Sequence, residues 1–415
     1  MTNRRRFDVL LCGVGGYGFY YLEQILKSRG PGDVRLCGVV DPFAEKGPSR
    51  ERLRAERIPV FSSSEDFFTG GRSADLTVIA SPIADHAAQT MTALQAGSHV
   101  LCEKPLAAVV QDVDELIRAR DAAGRRLLVG FQWSFSRSVQ RLKADIRRGR
   151  LGRPLRARTL CFWPRDTEYY RRNDWAGRLR DPRGRWVLDS PAQNAMAHFL
   201  HNLLYLLGDQ TETSAVPARL EAELYRIYPL ENADSAACRV ITAGGVECLF
   251  YASHAVPSDV GPMFAIDFEE GRVVFGEGED TVTALDAAGR RTDYGSPEDD
   301  DQFRKLHAAL AAAGGDGPVV CGPEAARSHT LCVNGIQESA AAGPGVLELR
   351  PGPAGRQTAE GRMWSEALAD AMSSAYREGR LPSEIGVAWA EKGRPVDLTE
   401  YAHFPGGRPP PQGKG

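Results

Sequence analysis

An apolar run that stops abruptly in glycine limits this chain more than any other stretch. Phe7-Asp8-Val9-Leu10-Leu11-Cys12 lacks the alternation of a half-exposed strand, which predicts a strand covered on both faces. It runs into Gly13-Val14-Gly15-Gly16-Tyr17-Gly18. Gly13, Gly15 and Gly18 fit G-x-G-x-x-G, in which one glycine permits a tight turn, one admits a pyrophosphate and one lets the next helix pack closely. That helix is expected over Phe19 to Ser28, its unpaired N–H groups facing the phosphates. A second apolar strand, Val34 to Val40, ends at Asp41, the spacing expected for a carboxylate on ribose hydroxyls. Asp41 favours NAD over NADP, because a 2′-phosphate would meet a like charge.

At 415 residues two domains are expected. The formal charge of −3 gives no reason to expect nucleic acid or an anionic membrane as partner. The 8 cysteines are scattered without C-x-x-C pairs, which reads as buried thiols of a reducing compartment and no metal site. The start, Met1 to Cys12, is basic and then apolar, but Asp8 and the glycine turn argue against a secretion signal. Ala195 to Leu207 is too short to span a bilayer. A cytoplasmic protein is the expectation.

Strands expected at Pro59 to Phe61, Asp75 to Ala80, Ser98 to Cys102 and Arg126 to Gly130 alternate with helices at Ala44 to Arg57, Glu65 to Phe68 (capped by Ser64), Ala84 to Ala96 and Val109 to Ala123. Such alternation predicts a doubly wound parallel sheet of Rossmann type over residues 1–131. The rhythm then changes. After helix Ser136 to Arg148, strand Leu155 to Trp163 and helix Pro191 to Leu207, strands follow without helices between them. They are expected at Leu220 to Tyr228, Ala236 to Thr242, Val246 to Ser253, Met263 to Phe268, Val273 to Phe275 and Val282 to Leu285. Helices Asp301 to Ala313 and Pro323 to Ala341, a strand Val346 to Leu349 and a helix near Ala359 to Glu378 complete the order. The fold class is therefore α/β, with residues 132–405 an α+β domain built on a large, mostly antiparallel open sheet and 406–415 a disordered tail. The open face of that sheet is the expected surface for a homodimer or homotetramer.

Glu103-Lys104-Pro105 closes a strand where it should reach a nicotinamide, and Pro105 restricts Lys104 to extended geometry. An aimed ammonium can polarise a carbonyl or stabilise an alkoxide. Asn194 and His198 are four apart, on one face of the expected helix, with His201 and Asn202 a turn on. A histidine there suits general acid or base work, whereas Asn194 cannot take a proton away. Residues 163–186 carry Arg165, Arg171, Arg172, Arg178, Arg180, Arg183 and Arg185 interleaved with Tyr169, Tyr170 and Trp175. Aromatic faces with arginine forks suit sugar rings and phosphate or carboxylate handles.

The chain resembles the glucose-fructose oxidoreductase, inositol dehydrogenase and rhizopine-catabolism (Gfo/Idh/MocA) family. The residues that carry the likeness are the glycine loop, Asp41-Pro42, Ser81-Pro82 with His86, Ala96 to Val100 running into Glu103-Lys104-Pro105-Leu106, Val129-Gly130-Phe131, Ile146 to Gly152 and Leu206-Leu207-Gly208-Asp209. The resemblance implies an NAD-dependent oxidoreductase with Gly13, Gly15, Gly16, Tyr17, Gly18, Asp41, Ser81, Pro82, His86, Glu103 and Lys104 at the cofactor. Lys104, His198 and Asn194 would then be catalytic, and Trp133, Tyr169, Trp175, Asn194, His198 and His201 would meet a small carbohydrate-like substrate. The chain departs from the family pattern at Asn194, where aspartate is common, at Val187-Leu188-Asp189-Ser190-Pro191 and at Ile83. Redox-neutral epimerase, lyase or glycosidase chemistry, imine reduction and a silent nucleotide-binding scaffold are the alternatives.

Overall fold

The computed structural model of the chain describes residues 6–28, 34–350 and 361–406. Six short apolar strands, β1 (Phe7–Cys12), β2 (Val34–Val40), β3 (Val60–Phe61), β4 (Leu76–Ile79), β5 (His99–Cys102) and β6 (Leu127–Val129), form a parallel sheet ordered β3-β2-β1-β4-β5-β6. Val9 to Cys12 and Leu127 to Val129 are fully buried, as strands covered on both faces must be. The covering helices are α1 (Tyr17–Lys27), α2 (Arg50–Ala55), α3 (Ser64–Thr69), α4 (Ile83–Gln95) and α5 (Val110–Ala123). The order reverses between β1 and β4, so the loops after them open a crevice at the strands' carboxyl ends.

Local chemistry moves two of the expected helices. The charged segment after Asp41 is not continuous: it makes a short turn over Ala44–Lys46 and restarts as α2. Pro48 forces Gly47 into extended backbone and breaks it. Ser63 rather than Ser64 caps α3, its hydroxyl accepting the Asp66 N–H at 3.1 Å.

The second half begins with α6 (Arg137–Arg147), β7 (Pro154–Phe162), α7 (Thr167–Arg171) and α8 (Ala197–Leu206), followed by strands β8 (Pro217–Arg226), β9 (Ser235–Thr242) and β10 (Glu247–Ser253). Next come β11 (Val260–Phe268), β12 (Gly271–Phe275), β13 (Thr283–Asp286), β14 (Arg291–Asp293), α9 (Arg304–Gly314) and α10 (Pro323–Ala341). The chain closes with β15 (Val346–Glu348), α11 (Glu366–Glu378) and β16 (Val396–Asp397). These strands make one 10-stranded sheet, ordered β14-β13-β12-β11-β7-β10-β9-β8-β15 with β16 also on β8. Only β7 with β10 and β8 with β15 pair in parallel.

The two faces of this sheet bury different partners, as the two-residue alternation requires. Ala157, Cys161, Cys238 and Phe250 face the core shared with α8 and α10, whereas Leu160, Phe162, Ala237, Leu249 and Tyr251 face the other way. That second face is not open over its central strands. Leu368, Met372, Ala375 and Tyr376 of α11 pack on it, and the Tyr251 hydroxyl donates to Arg380 O at 2.6 Å. A bidentate bridge from Arg239 to Glu384, at 2.8 and 2.6 Å, fastens the segment after α11. Over those central strands, the face expected to receive a second copy is covered by this chain's own later residues. α11 also starts after the expected position near Ala359, because Ser365 caps it through the Leu368 N–H at 3.2 Å; positions 359 and 360 lie outside the described residues.

Candidate active site

The glycine loop follows from crowding and openness at different positions. Gly13 has φ +84, and a Cβ there would sit 2.7 Å from Ala80 O; a Cβ on Gly18 would sit 2.1 Å from Gly13 O. Gly15 and Gly16 are exposed, and a Cβ on either would meet nothing within 4 Å. The loop is therefore tight against β4 and open on the outside, beside the first turn of α1, where Gly18 N–H turns to Gly15 O at 2.9 Å and Phe19 N–H to Gly16 O at 3.3 Å. Asp41, one residue past β2, accepts Val14 N–H at 3.0 Å and Phe43 N–H at 2.8 Å, which holds its carboxylate at the loop. A diphosphate and its ribose fit this cradle. Gly18→Ala is expected to lose about 1–3 kcal/mol of stability through overpacking and to weaken NADH binding in the same variant, read by urea unfolding and by nicotinamide fluorescence titration.

At the end of β4, Ser81 donates to Gln89 Oε1 at 2.7 Å and Pro82 is exposed. His86 does not reach outward to a cofactor as expected. It is buried, with Nδ1 2.7 Å from Pro105 O and Nε2 2.9 Å from Ser81 O, so it ties two strand-end loops together. Glu103 is likewise turned inward. Its Oε1 accepts the Tyr21 hydroxyl at 2.7 Å and lies 2.5 Å from Lys305 Nζ, delivered from α9. Lys305 is 1% exposed. Nothing in the local sequence marks Lys305, because its partner lies in the first sheet.

Lys104 points where Glu103 does not. Its Nζ donates to Asn194 main-chain O at 2.6 Å and lies 3.3 Å from Asn194 Oδ1. Burial pulls its ammonium down to about 8, with Glu103 opposing and Lys305 adding to the fall. Residues 191–196 turn rather than continue a helix back from α8, so Asn194 precedes the helix that carries His198. The turn still brings Asn194 to Lys104, and it reveals a carboxylate that sequence reasoning passed over. Asp189 is buried, its Oδ1 accepting Asn194 Nδ2 at 2.9 Å and its Oδ2 accepting Gly177 N–H at 2.6 Å. Burial raises its pKa. Leu188, just before it, holds the left-handed backbone at φ 52, an arrangement that persists only where surrounding contacts impose it.

His198 is half-buried, and its Nδ1 is enclosed without a hydrogen-bond partner. Burial first, and the Lys104 charge next, hold its proton affinity well below that of an ordinary histidine. It is a neutral base at physiological pH. His201 and Trp133, expected at the substrate, are core residues instead. His201 stacks on Phe131 at 3.7 Å with Nε2 3.0 Å from Ser134 Oγ, and Trp133 packs on Phe199 at 5.0 Å with its indole N–H on Glu298 at 2.7 Å. Tyr169 and Trp175 are half-buried and gather around Arg172, whose guanidinium lies 3.7 Å from the first ring and 5.4 Å from the second.

Residues 7–131 match the model of the oxidoreductase family with NAD-binding Rossmann fold, and residues 139–274 match the GFO/IDH/MocA C-terminal domain. The chain belongs to the Gfo/Idh/MocA family. Its first sheet is that family's NAD-binding Rossmann unit. An inositol 2-dehydrogenase of Acidothermus cellulolyticus is 32% identical over 158 residues, 38% of this chain and 45% of that protein. A 2,7-anhydro-N-acetylneuraminate hydratase of Escherichia coli is 26% identical over 205 residues, 48% of this chain and 50% of that protein. The matched stretches thus span about half the length of these curated relatives. The WlbA dehydrogenase of Bordetella pertussis, solved with NADH and UDP-GlcNAcA, shares the fold with a TM-score of 0.63 at 22% identity, over 79% of this chain and 94% of that one. Among the described residues no group of histidine, cysteine and carboxylates could hold a metal, and no helix is long and apolar enough to cross a membrane.

Proposed function

We propose that this Gfo/Idh/MocA member is an NAD-dependent dehydrogenase that interconverts a secondary alcohol and a ketone on a sugar, aminosugar or cyclitol. The observation that carries the reading is Lys104 at the end of β5, its amine 2.6 Å from Asn194 O and drawn down to about 8 by burial. The bound nicotinamide supplies hydride acceptance or donation. Gly15, Gly16 and the start of α1 take the diphosphate, Asp41 takes the ribose hydroxyls, and Ser81 and Pro82 border the crevice. Lys104 stabilises the oxyanion that develops on the reacting carbon, and Asn194, oriented by Asp189, holds the ammonium in line. His198 accepts the hydroxyl proton in oxidation and returns it in reduction. The relatives named inositol 2-dehydrogenase and WlbA support a ring polyol as substrate. Eight free thiols support a reducing compartment such as the cytoplasm.

A panel of myo-inositol, aldohexoses, aminosugars and their nucleotide-linked forms, followed at the nicotinamide absorbance with NAD, tests the reading. At least one member is expected to turn over, and His198→Asn to lower its kcat by about a hundredfold. The pH profile of kcat/KM for oxidation is expected to be bell-shaped. Activity rises where His198 loses its proton, below 6.5, and falls near pH 8 as Lys104 loses the charge that stabilises the oxyanion. A flat profile from pH 6 to 10 counts against these assignments. The hydratase relative favours one second reading, a redox-neutral cycle in which one substrate molecule is oxidised and then reduced with no net consumption of NAD. Turnover without added NAD distinguishes it.

A further inference from the structure

The arginines of residues 165–185 fall into two sets. Arg171 pairs with Glu168 at 3.1 Å, and Arg185 with Asp85 and Asp181 at 2.5 and 2.7 Å. Arg180 donates to Gly184 O at 2.6 Å and lies 3.3 Å over the Trp186 ring. Arg165 and Arg172, like Arg180, stand outside the carboxylate-paired set, and these two share the Tyr169 ring. Arg172 is exposed, donates to Tyr169 O and stacks on Tyr169 and Trp175. Arg165 lies 5.0 Å from the Tyr169 ring, donates to Pro164 O at 3.3 Å and keeps a buried Nε without a partner. A guanidinium laid on an aromatic face keeps its edge donors fixed and available.

Arg172 also belongs electrostatically to the site. Its charge lowers the proton affinity of Lys104 and opposes the burial that raises the Asp189 carboxyl. Asp189 faces this charge with both oxygens occupied by Asn194 and Gly177, and Glu103, which also acts on Lys104, is paired with Lys305. Among the described residues Lys104, Arg172 and Arg165 each lack a carboxylate in direct contact, although Asp166 and Asp259 line the cavity beside Arg165, and an anionic ligand can take up donors left in this way.

We propose that the substrate carries an oxyanion, a carboxylate or a phosphate, and that Arg172 grips it edge-on over the Tyr169 ring with Arg165 as the second donor. The proposal rests on the dehydrogenase reading and names its substrate class. Planar forks match both oxyanions, and a neutral polyol, with no charge and no paired acceptor oxygens, gains less from them.

D-Glucuronate, D-glucose 6-phosphate and D-glucose serve as probes, titrated calorimetrically into the NADH-loaded full chain up to about 10 mM and offered with NAD in the turnover assay. At least one of the two anionic probes is expected to bind about tenfold or more tightly than glucose, and which of them does so separates carboxylate from phosphate. Arg172→Gln is expected to erase that margin, Arg165→Gln to reduce it, and Arg172→Lys to restore part of it, because charge remains but the fork does not. NADH affinity of each variant controls for folding, and the comparison of probes on the unaltered chain decides the matter if a variant does not fold. Equal affinity for the three probes, or no binding of either anion, overturns the proposal. Oxidation of neutral polyols without preference for the acids overturns it while leaving the dehydrogenase reading intact. Tight binding of an anion that is never oxidised does the reverse.

Discussion

Replacing Lys104 with methionine is expected to lower kcat/KM by on the order of a thousandfold on any panel member that turns over, with NADH affinity retained. Methionine keeps most of the length and apolar volume of the stem, so the loss reports the ammonium. That ammonium is aimed rather than mobile, held 2.6 Å from the main-chain O of Asn194, whose side chain donates to the Asp189 carboxylate. Steady-state kinetics and nicotinamide fluorescence measure the two quantities in the same preparation. A variant that keeps more than about a tenth of the rate removes Lys104 from the chemistry.

Lys305→Met is expected to destabilise the chain by about 3–5 kcal/mol, because it leaves Glu103 buried beside Tyr21 with no cation. The double variant Glu103→Gln with Lys305→Met is expected to recover part of that loss, since both charges then disappear together. Urea unfolding of the single and double variants measures both. A loss under about 1 kcal/mol for the single variant would show that water reaches Glu103 and that the pair is of the weak, exposed kind.

Much of the fold was legible because period and punctuation agreed. α10 has the expected bounds, Pro323–Ala341, since proline at its first position and a long apolar face both mark it. β14 and β16 escaped notice: Arg291–Asp293 is exposed throughout, and two residues at β16 carry no period at all. Lys104 was legible because an apolar strand and a proline frame it. Asp189 and Lys305 were not, because each gains its meaning from a partner that the chain path supplies, Asn194 through an irregular turn and Glu103 through another sheet. Trp133 and His201 are expected at the substrate, but neither resemblance nor residue type separates a ring at a site from one packed against Phe199 or Phe131. The glycine pattern predicts a tight strand-to-helix turn, and Gly13 and Gly18 make one, although the crowding at Gly13 comes from Ala80, far along the chain.

Val109, at the start of α5, offers no side chain to the helix's first amides. Asn334 of α10 does so instead: its Oδ1 accepts Val110 N–H at 2.9 Å and its Nδ2 donates to Ala108 O at 2.9 Å. The nucleotide-binding half is therefore finished by residues made long after it. During synthesis it waits for them with a frayed helix and a naked carboxylate, and a gene cut after the sixth strand would encode a piece that chaperones and proteases see before any dinucleotide does.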